Sequence, residues 1–457
     1  MLRRIALLLT LLSIIFNAPV HAEAIAGKGG VVVLQYGEGF SGELGAKRAD
    51  VFRRAARVWA DKLVISEPVV VQVDFSALEC SNSGAVLGSA GPFSYKMDFE
   101  GAPQAMTWYP IALANQLAGK DLVPGAVDIR ARFNASIDNG CFNGNTWYYG
   151  EGEPPNGQFA LFQTVLHELA HGFGFTTVLD LGNGHIAAGG ADHYVRHISD
   201  FSGQNLAAMS PQQRVQAVKS DALYWHGRLA TARALAVSGQ SKVAMHAPAQ
   251  VRSGSSLSHF SSSKVNAAAP EETMQPFYMR ESTPWLADAA LADMGWGVVW
   301  QNEYVELRPS SANAAPGQQM SVQMTISRAK ALQAGITAIR VIQSSGVLVM
   351  PSQCVTESAR RGYCDLYALG EADEVSLPLT ITQSSAGSVA ISIELLEANE
   401  QARASGDGAV VDGLSMTLNF VKPQVAAPEK AAGAMPVWLI FVLLSGLTFV
   451  RKPRKAH

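Results

Sequence analysis

The chain has no excess of basic residues. Its 35 Lys and Arg stand against 38 Asp and Glu, a formal charge of -3 over 457 residues, and no Lys/Arg-rich run occurs outside the termini. The electrostatic footprint of a nucleic-acid-binding protein is therefore missing. Cysteine is scarce: Cys80, Cys141, Cys354 and Cys364 are the whole supply. None of them forms a C-x-x-C pair, which argues against a cysteine-based metal site. No apolar run reaches the roughly 20 residues of a comfortable membrane span. The two longest, Ile5 to Phe16 and Val437 to Val450, lie at the ends.

Both ends read as addresses rather than as fold. Met1-Leu2-Arg3-Arg4 precedes the first apolar run, and Val20-His21-Ala22 supplies small residues at the -3 and -1 positions of a cleavage site. Residues 1–22 thus read as a secretory signal peptide, with the mature chain starting at Glu23. At the other end Val437 to Val450 would rise only about 21 Å as a helix, against a hydrocarbon core of roughly 30 Å. The basic tail Arg451-Lys452-Pro453-Arg454-Lys455 follows it. Residues 435–457 read equally as one marginal transmembrane anchor or as a cleaved sorting signal, whose bacterial versions this layout resembles. Loss of both ends removes Arg3, Arg4, Arg451, Lys452, Arg454 and Lys455, so the charge falls from -3 to -9. The expectation is an exported protein, periplasmic, at the cell surface or extracellular. An even cysteine count in such a compartment suggests disulfides. Cys80 with Cys141 and Cys354 with Cys364 is the pairing in which no bridge crosses a domain boundary.

With 48% hydrophobic residues, the chain has room for two or three domains. Its most informative stretch is Val165-Leu166-His167-Glu168-Leu169-Ala170-His171-Gly172-Phe173-Gly174-Phe175, an H-E-x-x-H motif inside an apolar, helix-forming run. Two histidines at i and i+4 sit about 40° apart around a helix, so both reach one cation. Glu168 flanks the same face, placed to act on a water without being a ligand. Leu161, Phe162, Val165, Leu166 and Leu169 fall on the opposite side, which the helix would bury. Gly172 and Gly174 are expected to end it.

Upstream, Gly30–Tyr36 and Pro68–Phe75 read as strands, residues 44–63 as an amphipathic helix, and 81–94 as a glycine- and serine-rich loop. Residues 106–117 read as a helix and 126–135 as a strand with one wet face. The motif helix should begin near Phe159, after the Pro154-Pro155-Asn156-Gly157 breaker. This order fits an α/β half-domain whose last helix carries the chemistry. Ser210 and Pro211 mark a helix start, and Thr283-Pro284 opens another that Gly295 closes. From about Glu303 short alternating runs separated by turns suggest an immunoglobulin-like sandwich. The fold class is therefore α+β, a mixed sheet with an active-site helix followed by a β-sandwich. The expected division is 23–300, 301–420, a Pro/Ala-rich linker at 421–434, and the terminal segment.

A catalytic zinc takes three protein ligands, and the helix supplies two. The common extension of the motif would put a third histidine at position 177, where Thr177 stands. Eight of the ten histidines lie between 167 and 259, so His185, His193, His197, His246 and His259 all compete. A third-ligand acid from Glu271 or Glu272 is disfavoured, because both sit beside Pro270 in a loop.

The motif helix, the distant Gly254-Ser255-Ser256-Leu257-Ser258-His259-Phe260 and the turn Thr273-Met274-Gln275-Pro276 together resemble the leishmanolysin-like branch of the metzincin zinc proteases. The closing run Pro284 to Trp296 resembles how those domains end. Only some 87 residues separate the second and third ligands, too few for the protease-associated domain that bacterial secreted relatives often insert there. The resemblance implies zinc on His167, His171 and His259, with Glu168 as the general base. Met274 would be an apolar floor beneath the metal, and Gly174 would permit the turn under it. The implied substrate is an extended protein or peptide, taken by strand addition along 126–135, with the enzyme acting as a monomer. Tyr278 is either an oxyanion donor or, more in keeping with its spacing, a packing residue. No pro-segment with a cysteine switch is visible. The alternatives are a surface adhesin with a structural or vestigial zinc site and a zinc amidase. An intact Glu168 argues against the first and Met274 against the second.

Overall fold

The computed structural model describes residues 21–262, 271–301, 304–311, 313–399, 402 and 408–422. The expected signal core, the linker and the C-terminal apolar run lie outside them. Among the described residues no helix is long and apolar enough to cross a membrane.

The N-terminal part is built on a five-stranded sheet of β1 (His21–Ala26), β2 (Val31–Tyr36), β3 (Val69–Ser76), β4 (Gly88–Pro92) and β5 (Ile129–Asn134). The order is β1-β2-β3-β5-β4. β2, β3 and β5 run parallel, and both edge strands are antiparallel to their neighbours. Alternation explains the inner strands, since in β5 Ile129, Ala131 and Phe133 are buried while Arg130 and Arg132 are exposed. The helix Gly42–Lys62 packs Val51, Phe52, Ala55 and Trp59 into the core.

Several boundaries differ from expectation for identifiable reasons. The strand at 126–135 is not an edge: β4 covers it, so it cannot pair with a substrate. β4 comes from the stretch expected to be a loop. Its residues have weak strand propensity, but Gly88 lies so close to the Phe133 ring that a Cβ there would meet Cδ1 at 2.8 Å. Small residues let this strand pass over an aromatic neighbour. Residues 106–117 split into a strand, Thr107–Pro110, and a helix, Ile111–Ala118, because proline has no N–H to continue a helix through. Gln158–Ala160 pairs parallel with Thr146–Tyr148, so the motif helix runs Leu161–Phe173. Gly174, at φ 119°, ends it, whereas Gly172 stays inside. A Cβ on Gly172 would meet Ile129 Cγ2 at 2.5 Å, so its role is close approach of helix to sheet. The closing helix runs Ala287–Met294, starting later than Thr283-Pro284 suggested.

The C-terminal part is a β-sandwich with a hydrophobic core of its own. A five-stranded sheet is ordered Trp300–Gln301, Val305–Pro309, Gln319–Ile326, Val375–Thr382, Val347–Val349. The facing six-stranded sheet is ordered Asn313–Ala314, Ala409–Phe420, Gly387–Glu397, Ala338–Gln343, Arg361–Asp365, Val355–Ser358. Both disulfides pair as expected, Cys80 with Cys141 and Cys354 with Cys364, which fits an oxidising, extracytoplasmic compartment.

The Cys80–Cys141 bridge closes a 61-residue separation that contains β4 and β5. In the chain-entropy account a loop of this size is worth about 4 kcal/mol. The double substitution Cys80→Ser, Cys141→Ser should lower unfolding stability by that order in denaturant titration. An unchanged midpoint would show that the bridge does not constrain this half of the sheet.

Candidate metal centre

The motif helix lies over the sheet with Leu161, Val165 and Leu169 fully buried beneath it. Two indoles fix its height: Trp59 Nε1 donates to Leu166 O at 3.0 Å, and Trp296 Nε1 donates to Phe173 O at 2.9 Å. The opposite face presents His167 and His171, as the spacing requires. The third histidine arrives from a distant loop. His259, 92 residues from His167, follows a segment in which Leu257 adopts φ 70°. That conformation is costly for a non-glycine residue. It is held by three bonds: Leu257 N donates to His246 O, and Tyr194 Oη donates to Leu257 O, while His246 N donates to His259 O. Phe260 then packs edge-on against Phe175, just past the end of the motif helix, with ring centroids 4.8 Å apart.

Candidate ligand atoms of His167, His171 and His259 all lie within 4.8 Å of one another. Among the described residues this group numbers three, and His185, His193, His197 and His246 are outside it. His193 and His197 are engaged elsewhere, with Nε2 of His193 2.8 Å from Met294 O and 3.4 Å from Nε2 of His197.

The protonation of the three rings follows from their partners. Each Nδ1 lies 2.7 Å from a backbone carbonyl, that of Thr273 for His167, Phe175 for His171 and Ser255 for His259. A carbonyl only accepts, so each Nδ1 carries the proton and each Nε2 is left with a bare lone pair. Burial holds all three rings in the neutral form: it lowers the pKa of His167, takes His171 to about 3 and puts His259 well below its ordinary value. Repulsion from the neighbouring rings adds to this at His171 and His259. Yet Nε2 of His167 and Nε2 of His259 stand only 3.1 Å apart. Two lone pairs at that distance repel unless a cation sits between them. Tetrahedral coordination at about 2.0–2.1 Å separates ligand nitrogens by roughly 3.3–3.4 Å. The donor set therefore fits a metal ion, with carbonyls fixing the tautomers from behind as in known histidine sites.

Glu168 stands beside this group and outside it. Its Oε2 accepts from Ala90 N at 2.8 Å, on edge strand β4. Desolvation pushes its carboxyl up to about 7, and the Ala90 N–H pulls the other way. Met274 is fully buried in the turn whose preceding carbonyl braces His167. Thr177 Oγ1 donates to buried Asp192 at 2.7 Å. Tyr278 Oη accepts from Ala160 N at 2.6 Å, at the far end of the motif helix, and packs edge-on against Phe159. Glu272 is not part of the metal group and accepts from Met274 N and Leu286 N. The bracing carbonyls and the Ala90 N–H are invisible in the sequence, because backbone groups leave no residue signature.

This is a zincin-like H-E-x-x-H…H site in an α+β fold followed by a β-sandwich. No protein-family model matches the chain, and no curated protein matches it. Two solved structures are similar to part of it. SSP-19, an MSP-domain-like protein of Caenorhabditis elegans, is 11% identical over 24% of this chain and 92% of its own, with TM-score 0.15. A PapD-like domain of human CEP192 is 14% identical over 27% of this chain and 87% of its own, with TM-score 0.14. The sandwich assignment itself rests on the strand pairing above.

Buried neutral histidines make the metal-free protein acid-sensitive. His193, outside the metal group, is taken down to about 4, chiefly by burial. An unfolded imidazole takes up a proton below about 6.5, while this folded one refuses it until about pH 4. Stability is therefore undiminished above pH 6.5 and is lost as pH falls, by up to about 1.4 kcal/mol per unit for the one ring. Buried carboxyls raised above their ordinary range, such as Glu168 and Glu272, act in the opposite sense over the same pH window. The ring is therefore tested by comparison. In thermal denaturation of chelator-treated protein, the change in midpoint from pH 7.5 to pH 5 should be less unfavourable in His193→Gln than in the parent chain. An identical pH dependence in the two proteins would contradict the burial of this ring in the folded chain.

Proposed function

We propose that the chain is an exported, zinc-dependent endopeptidase of the leishmanolysin-like metzincin type, acting as a monomer on protein or peptide substrates. The observation that carries this reading is the convergence of three Nε2 lone pairs beside a carboxylate that is not one of the ligands. A structural zinc site is closed by four protein ligands, while a catalytic one keeps a position open. Three ligands and a free acid favour catalysis over the adhesin reading. We further propose the division into residues 23–300 and 301–420, which agrees with the separate cores.

His167, His171 and His259 would hold the zinc ion, which when bound would supply Lewis acidity toward water and a substrate carbonyl. Glu168 is the general base: it takes a proton from the attacking water and returns it to the leaving amine. The Ala90 N–H holds its Oε2 in place, and in the metal-free chain burial pushes its carboxyl up. An extended substrate adds to the sheet at β4, the edge that borders Glu168, rather than at the covered β5. Tyr278, tied to the start of the motif helix, serves as a packing residue. Met274 gives the histidines an apolar floor.

Casein or gelatin degradation by the mature chain, with and without chelator, tests the reaction. Glu168→Gln should lower turnover by a factor of about 10²–10⁴ while retaining one zinc per chain by metal analysis. His259→Ala should lose the zinc. Undiminished degradation by Glu168→Gln would sink the protease reading, and full zinc content in His259→Ala would reassign the third ligand.

A further inference from the structure

Glu272 is a carboxylate with no exposed surface, in a protein whose proposed chemistry does not use it. Burial pushes its carboxyl up to about 8 while three backbone N–H groups hold it down, those of Leu286, Met274 and Ala287. An acid is a costly group to bury, and here both oxygens are committed to main chain. Oε1 accepts from Met274 N at 3.1 Å, and Oε2 accepts from Leu286 N at 2.6 Å, at the start of the closing helix. The carboxylate thus joins the turn at 273–274 to the helix Ala287–Met294, in the region where helix N–H groups lack partners.

The next two residues connect this clamp to the metal group. Thr273 O accepts from His167 Nδ1 at 2.7 Å. Met274 O accepts from Phe260 N at 2.9 Å, the residue that follows His259. One ligand histidine on the motif helix is therefore braced directly by the first carbonyl, and the loop that carries His259 is tied down at Phe260 by the next. The segment carrying those carbonyls is also bonded to Thr283, since Thr273 N donates to Thr283 O and Thr283 N donates to Glu271 O. Its link to the closing helix runs through the Glu272 carboxylate.

We infer that Glu272 is a positioning residue for the metal centre, holding the Thr273 and Met274 carbonyls where they orient His167 and His259. This inference rests on the metal-site reading above and adds to it. Loss of an outer partner of a metal ligand commonly weakens metal binding by 10–100-fold, and the clamp holds both the carbonyl partner of His167 and the carbonyl that ties down Phe260 beside His259. Glu272→Gln keeps the size of the side chain but turns an N–H₂ group toward backbone donors, so at least one bond fails.

A merely structural cap would lower stability without touching the metal, so a matched control separates the two. Asp293 is another recessed carboxylate, accepting from Leu229 N, Ala230 N and Trp225 Nε1 at the start of the helix Arg228–Ser238. Zinc affinity is measured by chelator competition on the full mature chain, beside the thermal midpoint of the metal-free protein. Glu272→Gln should weaken zinc binding at least tenfold, and Asp293→Asn by less than twofold, although both lower the midpoint. If Glu272→Gln does not fold, Glu272→Asp, which withdraws the charge by one methylene, is read by the same criteria. Zinc affinity within twofold of wild type in the folded Glu272 variant would overturn the inference and leave the metal site standing. A wild-type chain that takes up no zinc would overturn the metal-site reading and this inference with it.

Discussion

Three neutral imidazoles aim their lone pairs at one another, and no proton is available to separate them. Each proton sits on Nδ1, spent on a carbonyl. Such an arrangement is repulsive until a cation occupies its centre, so a metal ion bound there would help to hold the two sides of the cleft together. One side is the motif helix, bonded to indoles and buried against the sheet. The other is a loop that reaches the site through main-chain bonds to His246 and Met274 and through the Tyr194 hydroxyl. Nothing in the local sequence of either side completes the centre without the other.

The carbonyl partners differ in how they are supplied. His171 bonds to Phe175, four residues on, where Gly174 at φ 119° turns the chain back under the helix. His259 likewise bonds to Ser255, four residues back. His167 alone takes its partner from far away, 106 residues along the chain at Thr273. The local pairs need only a tight turn or a strained loop. The long-range pair needs a scaffold, and the buried Glu272 carboxylate between the turn and the closing helix supplies a polar anchor for it.

Side-chain periodicity makes the inner strands, the first helix, the motif helix and most of the sandwich strands readable from sequence. Spacing and residue type bring His167 and His171 to one face, and the flanks of His259 single it out among five histidines as the third member of the cluster. The failures share a cause. β4 is illegible because Gly88, Ser89, Ala90 and Gly91 carry no apolar alternation; the strand can pair there because Gly88, without a Cβ, fits against Phe133. With β4 hidden, β5 reads as the edge. A helix across 106–117 ignores Pro110, whose missing N–H divides strand from helix. Glu272 reads only as a rival metal ligand, since a side chain that bonds to main chain looks, in sequence, like any other acid. Periodicity reports which face is buried; it does not report which backbone groups need a partner.

The small residues of this site act together on one distance. Gly172 lets the motif helix settle onto Ile129 of β5, where a Cβ would collide at 2.5 Å. One turn earlier, Glu168 reaches past β5 to the Ala90 N–H on β4. A larger residue at 172 would lift the end of the helix and carry His171 with it. A bulkier chain at β4 would be pushed off Phe133 and away from Glu168. The separation between the carboxylate and the sheet edge is therefore set by what is absent from these two strands and this helix. Of the outer backbone groups on this edge strand, the Ala90 N–H is held by Glu168 itself, so the carboxylate and the sheet edge are tied directly to each other.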